Sequence, residues 1–369
     1  MKKFDKDRLI LGFAGPALAL VVAFVLTSVV LLASGLSPIE PYQLMAEQVE
    51  FTDVQVNILN QSGIYYLAAL AVAIGFRMNL FNIGVDGQYR LAVMLAAVVG
   101  ASVELPGPLH VALIVLVAML VGALWAGIAG LLKTTRGVSE VVSTIMLNAI
   151  ATSLIAWLIL PANLGVQPKG SNDLTTGEIA ESGWVPGLAL EGGTIYGFTF
   201  VAFALGLVYW FVLNRTRFGF DLRATGASES AAQASGVNAK KMVMTAMLIS
   251  GAVAGLAGMP MLLGQTHTYS LSFPVGVGFT AITIALLGRN SPIGIFFAAV
   301  LISFLEKTAE GLGLAGYPKE ISIIMQGLIV IAVVVSYELV RQYGLRRQQQ
   351  KVGEELAAQA RKNREEVAA

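Results

Sequence analysis

Between Lys241 and Arg289 the chain runs 47 residues without one aspartate, glutamate, lysine or arginine, the longest of several such stretches. A spanning helix needs roughly 20 apolar residues, because the hydrocarbon core is about 30 Å thick and an unpaired backbone group inside it costs several kcal/mol. That single stretch has room for two crossings. Threaded in order, ten predominantly apolar windows emerge: 9–33, 59–76, 91–103, 110–132, 139–160, 195–213, 242–264, 276–288, 292–308 and 321–338. The pattern predicts an all-α, polytopic integral membrane protein of about ten transmembrane helices.

The first window follows the flank Met1-Lys-Lys-Phe-Asp-Lys-Asp-Arg8 and contains the 25 residues Leu9–Ala33 without a charge. It is too long for a secretory signal and lacks a small-residue cleavage site, so it reads as a retained first span. Its basic flank sets the N-terminus in the cytoplasm, and ten crossings return the chain there. On this count Lys133 and Arg136, the loop from Arg215 to Lys241, and the tail with Arg341, Arg346, Arg347 and Lys351 face inward, while Glu178, Glu181 and Glu191 face outward. That distribution is what the positive-inside rule expects. Residues 1–340 form the permeating domain on this reading, and residues 341–369 a charged tail, either a cytoplasmic helix or a solvated end.

Four windows look short for a crossing: 91–103, 276–288, 292–308 and 59–76. Short or broken spans expose backbone to a cavity, which is where transporters place substrate. Two interruptions are alike in character, Arg77–Gln88 in the first half and Gly264–Gly276 in the second. Five spans per half would allow inverted halves.

Within the fifth window Glu140, Thr144, Asn148 and Thr152 recur every four residues, one inclined ridge on a helix, widened by Ser139 and Ser143. Such a ridge either bonds to neighbouring helices or lines a hydrophilic pathway. Gly251, Gly255 and Gly258 form a small-residue face suited to close helix packing. The 27 residues Arg215–Lys241 mix charge with alanine and glycine, and Ser228–Ser235 has the composition of a short capped helix stopped by Gly236. That segment is either plain solvated loop or a docking element for a soluble partner.

Composition narrows the class. Hydrophobic residues make up 56%, charged residues 13% and mean hydropathy is +0.73, whereas a soluble domain carries about 25% charge. A net charge of +1 gives no basic face for nucleic acid. Zero cysteines and two histidines, His110 and His267, argue against a disulfide, a thiolate metal site or a histidine cluster. Gly311–Gly316 fits the dinucleotide glycine pattern, but no strand precedes it, and there is no P-loop lysine motif. Any ATP hydrolysis therefore belongs to another polypeptide.

Phe81-Asn-Ile-Gly-Val-Asp-Gly-Gln88, Glu140-Val-Val-Ser-Thr-Ile-Met-Leu-Asn148, Gly219-Phe-Asp-Leu-Arg-Ala-Thr-Gly226 with Ala231–Gly236, Ser250–Gly258 and Ala285–Gly294 together resemble permease subunits of bacterial ATP-binding-cassette importers. The branch is that of ribose, nucleoside and branched-chain amino acid permeases. The first two motifs are most similar to nucleoside members, in which the acidic residue is often glutamate and is Asp86 here.

The resemblance implies a transport subunit in the bacterial inner membrane that is not an enzyme and binds no cofactor itself. It implies a second homologous permease, two ATPase subunits carrying ATP and Mg, and an extracellular binding lipoprotein or periplasmic protein that delivers substrate. Arg223, Gly226, Ala232 and Gly236 match the family's coupling segment and would contact the ATPase. The expected substrate path is Phe81, Asn82, Gln88, Glu140, Thr144 and Asn148, with Phe81 as a stacking surface for a base and amides for ribose hydroxyls. Ribose or another simple sugar is the alternative cargo, and an ion-gradient-driven secondary transporter or a membrane scaffold the alternatives of other classes.

Overall fold

The computed structural model describes residues 6–368, so the first part of the basic flank lies outside the described residues. The helices are α1 (Lys6–Ala33), α2 (Glu40–Gln48), α3 (Thr52–Phe76), α4 (Val85–Ser102), α5 (Gly107–Arg136), α6 (Glu140–Leu158), α7 (Gly197–Arg215), α8 (Arg217–Ala227), α9 (Glu229–Ala234), α10 (Ala239–Gly255), the single turn α11 (Met259–Met261), α12 (Val277–Leu287), α13 (Pro292–Leu314) and α14 (Lys319–Ala368). A small hairpin, β1 (Leu188–Leu190) with β2 (Gly193–Ile195), lies between α6 and α7. Among the described residues seven helices are long and apolar enough to cross a membrane; Leu18–Ala33 and α12 are shorter apolar helices, and α4 makes the tenth.

Each of the ten windows contains a helix, with three corrections of length. Windows 59–76 and 292–308 are not short: α3 has 25 residues and α13 has 23. The start of α3 carries Asp53, which a search for charge-free runs trims away, and α13 runs on past Glu306 and Lys307 to Leu314; Glu306 accepts a hydrogen bond from Tyr65 of α3 inside the packed structure. Window 91–103 begins too late for the same reason, because α4 starts at Val85 and buries Asp86 and Arg90. Window 276–288 is short as expected, with α12 only 11 residues.

Two compact units divide the chain. Gln48–Lys307 is one, and the N-terminal segment to Glu47 with Thr308 onward is the other. In the second unit α1 packs along α14, which continues through position 340 without a break. In the first, α5 packs closely on α10, α3 lies against α10 and α12, and α4 is held between α5, α6 and α10. Small residues permit the α5–α10 crossing: a Cβ on Gly251 would fall on the Gly122 carbonyl, and one on Gly255 on the Ala118 carbonyl. The packing role expected for this glycine face is therefore the one it fills.

Local signals fix the ends. α5 stops at Gly137 (φ 69°) with Lys133 and Arg136 in its last turn. The segment after Arg215 is structured: Thr216 caps α8 through Gly219 N (3.2 Å), Ser228 caps α9 through Ala231 N (3.3 Å) and Asn238 caps α10 through Lys241 N (3.0 Å). Gly236 (φ 84°) follows α9 as predicted. The α8 helix ahead of it was not foreseen.

Candidate functional site

The break Arg77–Gly84 between α3 and α4 gathers most of the predicted pathway residues. Asn82 donates to Gln88 Oε1 (2.9 Å) and to Ser250 Oγ of α10 (2.8 Å), and Gln88 donates back to Asn82 Oδ1 (2.8 Å). Ser250 in turn donates to the Ala71 carbonyl of α3 (2.6 Å). All of these side chains are buried. Each amide is satisfied by another, as a group removed from water must be.

The predicted ridge on α6 grips the same break at two levels. Asn148 accepts from Gly87 N (2.9 Å) and donates to the Ile83 carbonyl (2.9 Å). Glu140, ion-paired with Lys133, accepts from Phe81 N (3.4 Å). Thr144 is fully enclosed and its hydroxyl returns to the Glu140 carbonyl (2.7 Å). Along the ridge exposure rises from buried Thr144 through half-buried Asn148 to exposed Thr152. Phe81 is 47% exposed beside Phe76, with ring centroids 5.1 Å apart. Asn82, Gln88, Glu140 and Asn148 thus brace the break by hydrogen bonds and Thr144 packs against it, where a Cβ on Gly84 would lie 3.1 Å from Thr144 Cβ, while Phe81 reaches open space and Asn148 is half-exposed.

Sequence reasoning missed the residues that tie the two interruptions together. Gly276 N (2.8 Å) and Gly278 N (3.4 Å), at the start of α12, both donate to Asp86 Oδ1 of α4, a carboxylate facing the positive end of a helix. A Cβ on Gly278 would lie 2.5 Å from Asp86 N, so only glycine lets the two backbones meet here. Tyr89 donates to the Pro274 carbonyl, and Arg90 donates to Thr152 Oγ1 (3.2 Å) with its Nε enclosed and unpaired. Asp86 and Arg90 stand four residues apart, one helical turn, directly ahead of the apolar run from Leu91, which was the available signal.

The residues expected to couple, Arg223, Gly226, Ala232 and Gly236, lie on or just after the α8–α9 pair, whose open side forms a cleft of about 650 Å³ lined by Arg217, Phe220, Asp221, Ala232 and Lys241 among others. Phe220 is 62% exposed at its mouth. Arg223 is half-buried with Nη1 enclosed and unpaired, Ala232 is buried, and Gly236 is open with nothing near its Cβ direction. Gly226 turns the other way, against the backbone of Arg77 and Met78.

With its polytopic helical body, polar break between two helices and capped helix pair α8–α9, the chain matches from residue 54 to 334 the family described as branched-chain amino acid transport system / permease component. The chain belongs to that family. It is a transport permease component and a multi-pass membrane protein. Among its relatives, the guanosine ABC transporter permease protein NupP of Bacillus subtilis is 35% identical over 88% of this chain and 93% of that one. The nucleoside ABC transporter permease protein NupB of Lactococcus lactis is 30% identical over 87% and 90%. A second guanosine permease protein of Bacillus subtilis, NupQ, is 27% identical over 65% and 76%.

Proposed function

We propose that this permease is one of two homologous membrane subunits of an ATP-binding-cassette importer that carries nucleosides into a bacterial cell, with both termini cytoplasmic. The observation that carries the reading is the near-full-length similarity to a guanosine permease. The pairing of NupP with NupQ in one organism supports a second permease subunit. Two ATPase subunits, holding ATP and Mg, dock against α8 and α9, where Ala232 and Gly236 line the cytoplasmic cleft and Arg223 stands on the same helix pair, and an extracellular binding protein delivers substrate from the other side.

Substrate passes along the open edge of the polar break. Phe81 offers an aromatic face to a base, and half-exposed Asn148 offers the one N–H and one oxygen lone pair left beyond its two backbone bonds to ribose hydroxyls or base edges. Asn82, Gln88, Glu140 and Thr144 hold the break in the conformation described, and alternating access requires part of that brace to rearrange. A subunit fed by a binding protein needs little affinity of its own.

Uptake of labelled uridine, guanosine and ribose by cells expressing the chain with its co-purifying subunits tests this, with ATP depletion and a protonophore as separate arms. Nucleoside uptake lost on ATP depletion and kept with the protonophore at preserved ATP is the expected result. Uptake of ribose alone, or uptake abolished by the protonophore alone, discards the nucleoside or the ATP-driven reading respectively.

A further inference from the structure

The contact that Gly226 makes is not with a docking surface but with the polar break. It lies at the last turn of α8, the helix that lines the cytoplasmic cleft, and its carbonyl accepts from Asn79 Nδ2 (2.8 Å). A Cβ at Gly226 would stand 2.8 Å from Met78 Cα and closer still to the Arg77 carbonyl. Backbone therefore rests on backbone, and a displacement of α8 cannot be absorbed by a side chain changing rotamer.

The turn that receives the contact is tightly closed. Met78 N donates to the Gly75 carbonyl (2.8 Å), as does Leu80 N (3.0 Å), and Asn79 holds φ 54°, a left-handed conformation asparagine tolerates better than most residues. From there connections leave in two directions. The Arg77 guanidinium donates to the Asn290 carbonyl between α12 and α13 (2.8 Å), where Tyr209 of α7 also donates (3.1 Å). Phe81 and Ile83, the next residues along the chain, are the ones held by Glu140 and Asn148 of α6.

We infer that the turn Arg77–Leu80 is the receiver through which movement of the cytoplasmic helix pair reaches the membrane core, with Asn79 and Gly226 as its positioning residues. This deepens the importer reading and rests on it. Stiff contacts at both ends of the turn make α8, α6 and the α12–α13 corner move as one linked set, the kind of physical chain along which sites couple. Neither residue touches substrate on this account, and neither faces the cleft at which an ATPase docks.

The test measures nucleoside uptake and ATP hydrolysis together in membrane vesicles holding the complete transporter. Two variants are compared with the natural chain: Gly226→Ala, which forces the backbones apart, and Asn79→Gly, which keeps the left-handed turn but removes the amide. Uptake per ATP hydrolysed is expected to fall roughly two- to thirtyfold, while hydrolysis and subunit assembly stay near the unmodified level. An unchanged ratio in Asn79→Gly overturns the inference whatever Gly226→Ala does, including failure of that variant to assemble. If the unmodified vesicles show no ATP-driven uptake, the importer reading itself is what fails, an outcome separate from any difference between variants.

Discussion

Asn148 bonds through both ends of its amide to backbone of the break and of the first turn of α4, so truncating it strands the Ile83 carbonyl and the Gly87 N–H. Leaving a buried group unpaired costs about 1–3 kcal/mol. Asn148→Ala is therefore expected to lower the melting temperature of the purified protein as well as uptake; loss of uptake at an unchanged melting temperature would remove its bracing role. His267 gives a pH prediction outside the spans. Its ring stacks on Trp184 with centroids 3.9 Å apart, and burial pushes the imidazole below its ordinary 6.5 against a smaller upward pull from Glu178. The unfolded chain then takes up this proton at higher pH than the folded one, so stability is full above about pH 6.5 and declines as pH falls through and below it. Melting temperature should drop more between pH 7.5 and 5.5 for the natural chain than for His267→Asn, which tolerates the φ of 53° at this position; equal drops count against it. The four-residue spacing of Glu140, Thr144 and Asn148 was legible because a helix repeats every 3.6 residues. Their partners in the break were not, since hydrogen bonds between Asn148 and Ile83 join positions whose proximity no local pattern encodes.

At the scale of elements, α5 and α10 meet through glycine, and Gly251→Ala would push a methyl onto the Gly122 carbonyl. Overpacking of this kind costs about 1–3 kcal/mol, so the variant should unfold at lower temperature, while Gly313→Ala, with nothing nearby, should not. Comparable melting of both would mean the crossing is looser than its geometry. The polar end of α12 makes a second case. Asp86→Asn keeps an acceptor for Gly276 but loses the charge facing the helix N-terminus, and is expected to lose less uptake than Asp86→Ala, which removes both. Equal losses would assign the charge, not the cap, to function. Apolar length announced nearly every helix, and serine with a following glycine announced α9, since caps and stops are local chemistry. Helix α8 escaped because Phe218, Phe220 and Leu222 alternate with glycine and charge along the chain, which hides its helical spacing, and α4 lost its start because Asp86 and Arg90 there are buried against partners that only the fold supplies.

At the scale of the molecule, the absence of natural cysteine makes topology directly measurable. A cysteine replacing exposed Asn172, between α6 and α7, should react with a membrane-impermeant maleimide in intact cells, and one replacing exposed Gln233 in α9 only after permeabilisation. The reverse pattern would invert the orientation and move α8 and α9 away from any cytoplasmic ATPase. By itself the sequence determined the membrane class, the apolar segments and the residues rich in polar chemistry, and set an expected orientation for the labelling to test. Hydrocarbon thickness, loop charge and helical period act on neighbours in the chain and leave a direct trace in it. Only the tertiary structure decided that Asp86 caps α12 from 190 residues away, that most of the polar ridge braces a break instead of lining an open path, and that Gly226 bears on Arg77. Those outcomes depend on which surfaces meet once the helices pack, and a hydrogen bond or a backbone contact across such a distance is specified by shape, not by spacing.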